Sequence, residues 1–359
     1  MDSKKEALRL GGAGLAMGLI AALLVKLGNP ANMGFCIACF LRDTAGALGL
    51  HRAAAVQYFR PETVGLVAGA FLMALARKEF SPKGGSAPVT RFVLAACVMV
   101  GCLVFLGCPF RMVLRLAGGD GNAILGLFGF VCGIGAGVIF LKKGYSLRRT
   151  YRQPKAEGAA FPVAAMLLFG LSLAVPALFF TTEAGGGPGA LHAPTLVSLA
   201  AGLIVGALAQ RTRLCMVGGF RDLMLFRSMR LLWGFIGIFA AALVCNLCFG
   251  SFDFGFAGQP VAHSDGLWNF LGMLLAGYGS TLLGGCPLRQ LVLAGEGNAD
   301  SAVTVLGLLA GAAVSHNFGL ASSAAGATGG GKVAVAVCLV LVTVLALVNT
   351  VGKAGRDHA

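Results

Sequence analysis

The sequence predicts an all-α, polytopic membrane protein: an inverted-topology repeat with about ten spanning helices and four re-entrant half-helices forming an hourglass. Three observations predict it. Hydrophobic residues make up 57% of the 359 residues and charged residues only 12%, with a mean hydropathy of +0.84, a balance that no soluble domain of this length needs for its core. About ten stretches approach the roughly 20 apolar residues that a helix needs to cross the hydrocarbon. Finally, one cysteine-centred unit occurs twice, with an odd number of spans from the first copy to the second.

The candidate spans are 8–27, 61–76, 91–107, 122–141, 160–180, 193–210, 231–250, 266–284, 299–318 and 331–350. No small-residue cleavage site follows the first, which is read as a retained helix rather than a signal peptide. Lys4, Lys5 and Arg9 precede it; Arg77, Lys78, Lys83 and Arg91 lie between the second and third spans; Lys142, Lys143, Arg148, Arg149, Arg152 and Lys155 follow the fourth. The positive-inside bias makes these segments cytoplasmic. It also places both termini there, and it accounts for the net charge of +14 without a nucleic-acid partner. The opposite loops are poor in Lys and Arg, except that Arg42, Arg52 and Arg60 fall in the 28–60 connection. These three are either tucked into the protein or needed by a ligand.

The duplication is explicit. Cys36 followed by Arg42-Asp43 returns as Cys215 followed by Arg221-Asp222, and Gly107-Cys108-Pro109-Phe110-Arg111 returns as Gly285-Cys286-Pro287-Leu288-Arg289. The Leu114 to Asn122 stretch likewise matches Leu291 to Asn298. Offsets of 179 and 178 residues between paired cysteines, close to half the chain, mark a duplicated unit. Four spans return the chain to the cytoplasm at the Lys142–Lys155 loop and the fifth carries it out again, so the second copy is inverted, an arrangement common in transporters. The expected organisation is a first repeat over 1–141, a basic linker plus connecting helix over 142–190, a second, inverted repeat over 191–320, and a C-terminal helix and tail over 321–359.

The cysteine segments are too short and too broken to span. Pro30 and Gly34 precede Cys36, Pro109 follows Cys108 and Pro287 follows Cys286, and these residues open, end or bend helices. Re-entrant half-helices survive at membrane depth only when buried in protein or lining a wet cavity. Cys36 and Cys108 are expected to enter from outside, Cys215 and Cys286 from the cytoplasm, with thiols near the waist. A neutral thiol is a soft, polarisable, weak donor that suits sulfur or selenium better than a hard oxyanion. Half-helix N-termini add positive potential for an anion. Arg111 and Arg289, and Arg42 and Arg221, supply charge at the mouths, whereas Asp43 and Asp222 are expected to form internal ion pairs.

The Gly28 to Asp43 stretch and the two Gly-Cys-Pro-x-Arg motifs resemble the YeeE/YedE membrane family, most closely its YedE-type selenium-metabolism branch, over nearly the whole chain. The resemblance implies uptake of a small sulfur-containing anion across the bacterial inner membrane, passed along a column of cysteines by S–H to sulfur hydrogen bonds. Carried over by motif, that column is Cys36, Cys108 and Cys286. A second thiol at Cys39 and another at Cys215 depart from the thiosulfate pattern, so a selenium species rivals thiosulfate. The resemblance also implies a cytoplasmic sulfur or selenium carrier as partner, besides the lipid bilayer.

Two alternatives stay open: a membrane thiol enzyme using a Cys36/Cys39 persulfide or disulfide, and a soft-metal permease. Cys36-Ile37-Ala38-Cys39 is formally C-x-x-C, but no thioredoxin-like soluble unit accompanies it. Cys97, Cys102, Cys132, Cys245, Cys248 and Cys338 lie inside spans and are read as packing. His192, His263 and His358 are read as solvated, and Asn122 and Asn298 as helix caps. Neither a Walker loop, a Rossmann fingerprint nor an acid pair occurs, so no ATP drive, hydrolytic chemistry, cofactor or resident metal is expected.

Overall fold

A computed structural model describes residues 2–350; His358 lies outside the described residues. Fourteen α-helices follow one another: α1 (Asp2–Lys26), α2 (Ile37–Ala47), α3 (Pro61–Ala76), α4 (Pro88–Phe105), α5 (Pro109–Ala117), α6 (Asn122–Lys142), α7 (Lys155–Ala174), α8 (Thr195–Thr212), α9 (Met216–Phe226), α10 (Leu232–Cys248), α11 (Gly266–Leu282), α12 (Pro287–Gly295), α13 (Ala299–Asn317) and α14 (Gly329–Val348). Two two-residue strands, β1 (Lys83–Gly84) and β2 (Tyr151–Arg152), pair antiparallel. Among the described residues nine helical stretches are long and apolar enough to cross a membrane, and α10 is a shorter apolar helix. The protein is a polytopic all-α membrane protein.

Small residues set how the long helices pair. Gly14 of α1 meets the backbone of Gly234 and Gly18 that of Ile238 on α10; Gly65 and Gly69 of α3 meet Leu199 and Leu203 on α8. Residue numbers rise together in both pairs, so the helices of each run parallel, touching backbone to backbone as small residues permit. The contacts Gly129–Phe270 and Gly133–Leu274 make α6 and α11 parallel in the same way, as Gly307–Phe92 and Gly311–Ala96 do for α13 and α4. These pairings are reciprocal under exchange of the two copies. The start of α8 meets the start of α3 through the hydrogen bond from Ser198 Oγ to Glu62 Oε1. The end of α8 meets the start of α1, where Arg9 donates to the Arg211 carbonyl. The counterpart of α1 therefore runs against it, and the second copy is inverted.

Burial separates the centre from the rim. The apolar windows over α4–α5 and α11–α12 are 83% buried, whereas those over α7 and α14 are 17% and 22% buried, which puts the latter two at the periphery. α7 packs on α3 and α12, α14 on α4 and α11, contacts that the symmetry does not exchange. A Cβ on Gly206 would run into the Leu66 backbone of α3, which no rotamer relieves. Gly206→Leu is therefore expected to prevent α3–α8 association, read as loss of monodisperse protein in detergent chromatography; Gly170→Leu, with open space around it, is expected to leave the yield unchanged.

The ends of α4 and α11 inside the protein leave carbonyls that must find donors. α4 stops at Leu106, in the left-handed region at φ 63°. His263 Nε2 lies 2.7 Å from the Val104 carbonyl, and Arg115 Nη1 donates to that of Phe105 at 2.6 Å. His263, expected on the surface, is thus 2% exposed, because its loop folds back onto the broken helix. At the end of α11, Gln290 Nε2 donates to the Leu283 carbonyl at 3.1 Å. Asn298 caps α13 by accepting from Ser301 N at 3.1 Å. Asn122 does not cap α6: Asp120 Oδ1 takes its N–H, while its own amide donates to Phe256 O at 2.7 Å.

Candidate functional site

Each motif cysteine is the residue that opens a half-helix. Cys36, Cys108, Cys215 and Cys286 are the N-caps of α2, α5, α9 and α12. Pro109 and Pro287 occupy the first helical position, where the missing N–H costs nothing and φ is already helical. Cys36 Sγ accepts from Cys39 N and Cys215 Sγ from Gly218 N, each at 3.3 Å. Sulfur here takes the place that serine or aspartate fills in ordinary caps. All four are buried: Cys36 is 0% exposed, Cys108 and Cys286 1%, and Cys215 6%.

The tips meet in pairs. Cys36 and Cys108 face each other within the first copy. Cys215 and Cys286 do so within the second, with their sulfurs 3.8 Å apart. The pairs are exchanged by the inversion, and α2 touches α12 while α5 touches α9, so both sit in one core. Each pair aims two helix N-termini at one small region, which favours negative charge there. Cys39 and Cys102, 1% and 0% exposed, lie close to Cys36.

The four arginines singled out by the motifs have different fates. Arg42 is 3% exposed, and its Nε donates to Asp43 Oδ1 at 2.7 Å; Arg221, partly exposed by comparison, does the same with Asp222 at 2.9 Å. Both adjacent Arg-Asp units are the internal ion pairs expected. Arg289 pairs with Glu296 at 3.0 Å. Arg111 is 0% exposed and donates from Nε to Asn32 O at 2.9 Å, from Nη1 to Cys39 Sγ at 3.3 Å and from Nη2 to Val261 O at 2.9 Å. Of the four buried arginines among the described residues, Arg42, Arg60, Arg111 and Arg115, only Arg111 has no carboxylate partner.

Two participants were missed by the motif reading. Arg60, 0% exposed, reaches Asp43 Oδ2 at 2.7 Å and holds the carbonyls of Pro188 and Leu191 at 3.1 and 3.2 Å. It is tucked into the protein together with Arg42, while Arg52 lies over the Phe180 ring at 4.7 Å. Arg115 takes Asp120, with 2.6 Å from Nε to Oδ2. Neither has a matching arginine in the second copy, so the duplication could not flag them.

What the arrangement offers is a buried, soft-walled region in which Arg111, the one buried arginine without a carboxylate partner among the described residues, lies beside three thiols. Among the described residues no group of three or more Cys, His, Asp or Glu side chains is placed to hold a metal ion. No curated protein matches the chain. Residues 211–353, the part that contains Cys215, Cys286 and α9 to α14, match the model of the sulphur transport family.

Proposed function

We propose that the protein takes up a small sulfur- or selenium-containing anion, of thiosulfate type, across the bacterial inner membrane by way of the buried cysteine pairs. The match of the second copy to a sulphur transport family supports the class of cargo. The single observation that carries the reading is Arg111: a buried guanidinium without a carboxylate partner among the described residues, 3.3 Å from the Cys39 sulfur and next to the N-termini of α2 and α5. A buried charge without a protein counter-ion is costly, and a transient anion supplies one. Thiols then discriminate, donating S–H to a soft terminal sulfur or selenium that a sulfate lacks.

In this reading the face that carries Lys4, Arg9 and the Lys142–Lys155 loop is cytoplasmic. The anion meets Cys36, Cys39, Cys108 and Arg111 first, then Cys286 and Cys215. Arg42 and Arg221 shape the half-helices through their aspartates and do not touch the anion. Release on the basic face hands the anion to a cytoplasmic sulfur or selenium carrier.

Uptake into proteoliposomes of thiosulfate, selenite, selenosulfate and sulfate, compared for the wild type and the Cys36→Ala, Cys108→Ala and Cys286→Ala variants, tests this. Each thiol removed costs one hydrogen bond, about tenfold in flux. Soft-anion flux is expected to fall by that factor in all three. Unchanged flux in all three sinks the cysteine pathway, and a covalent label retained on Cys36 or Cys39 would instead favour the thiol enzyme.

A further inference from the structure

The two copies differ where the chemistry is concentrated, and the difference is one of charge. Each carries an arginine one turn into its Cys-Pro half-helix, Arg111 or Arg289, and an acid just beyond the helix, Asp120 or Glu296. In the first copy Asp120 is taken by Arg115 at 2.6 Å, leaving Arg111 without an acid among the described residues. In the second, Val292 stands where the matched stretch has Arg115, and Glu296 closes on Arg289 at 3.0 Å. The thiol count follows suit: Cys39, three residues after its cap, corresponds to Gly218 in the second copy.

Resting on the transport reading, we propose that Glu296 is the release residue: it holds Arg289 so that the basic-face station binds the anion weakly and lets it leave. A pathway conducts only if its sites bind well enough to admit the ion and weakly enough to give it up. An Arg289 without its acid would be a second Arg111, one thiol pair further on. The Arg289 and Glu296 side chains are 12% and 18% exposed, and Ser81 of the basic Arg77–Arg91 segment donates its N–H to the Glu296 carbonyl at 3.0 Å, so the pair stands where the buried region opens to the basic face. Such asymmetry cannot set the direction of net flux, which the gradient and membrane potential decide. It sets how fast a captured anion departs.

The experiment is Glu296→Gln, nearly isosteric and without the charge, measured by thiosulfate binding to purified protein and by uptake in proteoliposomes. The dissociation constant is expected to fall about tenfold and the maximal uptake rate to fall by a similar factor, the strength of one charge-assisted hydrogen bond from Arg289 to the anion. Arg289→Gln/Glu296→Gln, which removes the freed cation, is expected to restore both. Glu296→Gln with binding and rate within twofold of wild type overturns the proposal, as does slow uptake with weakened binding that the double variant leaves uncorrected. If the wild type neither binds nor carries any of the four anions, the transport reading itself fails; a competent wild type with an indifferent Glu296→Gln removes the release role alone.

Discussion

Arg111→Gln is expected to reduce uptake of thiosulfate or its selenium analogue by a hundredfold or more, with little loss of folded protein. The two halves of that expectation have separate causes. Arg111 has no carboxylate partner among the described residues, so its removal strands no buried anion, and the Asn32 and Val261 carbonyls that it holds lie in loops that can reach water. The anion, in contrast, loses its counter-charge in a region with the Cys39, Cys36 and Cys108 thiols at 0–1% exposure. Truncating one side of a desolvated charge pair costs about 2–5 kcal/mol, and about 2.7 kcal/mol is a hundredfold. Arg111→Lys keeps the charge but not the planar fork that serves three acceptors at once, so an intermediate rate is expected. Radiolabelled uptake in proteoliposomes, normalised to reconstituted protein, decides it: Arg111→Gln at more than a tenth of the wild-type rate would remove the arginine from the pathway. Arg115→Gln is the control in the other direction, because it leaves Asp120, 1% exposed, without its partner and is expected to yield little folded protein.

How much of this was legible beforehand depended on whether the cause was local. The spans were, because the hydrocarbon dictates helix length and because Gly and Pro interrupt the pattern at Gly34, Pro109 and Pro287. So was the inversion, which needs only an odd count of crossings. The capping role of Cys108 and Cys286 was within reach as well, since proline at the first helical position makes its predecessor the cap. The Arg42–Asp43 and Arg221–Asp222 pairs, between neighbours in sequence, were read directly. Interactions between distant parts of the chain were not. Asp43 is shared with Arg60, 17 residues on; Arg111 reaches Val261, 150 residues on. The pairing of Cys36 with Cys108 and of Cys215 with Cys286 also depends on how half-helices from different segments dock. Asn122 and His263 were misread for a common reason. Each answers a backbone carbonyl far away in the chain, His263 that of Val104 at the broken end of α4 and Asn122 that of Phe256 in the loop after α10, which composition does not display.

The largest expected effect on stability separates the two copies of the Arg-Asp motif. Asp43 is 0% exposed and carries two guanidiniums, Arg42 at 2.7 Å and Arg60 at 2.7 Å, whose side chains are 4% and 0% exposed. Its backbone carbonyl also accepts from Tyr58 N at 3.2 Å, and Arg60 in turn pins the Pro188–Leu191 segment. Asp43→Asn leaves two buried cations facing a neutral amide, and breaking a buried pair costs about 3–5 kcal/mol. At roughly 2 °C per kcal/mol for a chain of this size, the unfolding midpoint in detergent is expected to drop by about 6–10 °C, with the α2–α3 connection and the Pro188–Leu191 loop becoming accessible to protease first. Asp222 is the same residue in the inverted copy, yet its side chain and that of Arg221 are 20% and 26% exposed, and Arg221 is its only arginine partner among the described residues. Solvent screens that pair, whose worth is about 1 kcal/mol or less, so Asp222→Asn is expected to shift the midpoint by no more than about 2 °C. Equal shifts in the two variants would mean that the Arg60 bridge contributes nothing. The burial of Asp43 would then be incidental to holding the first half-helix in place.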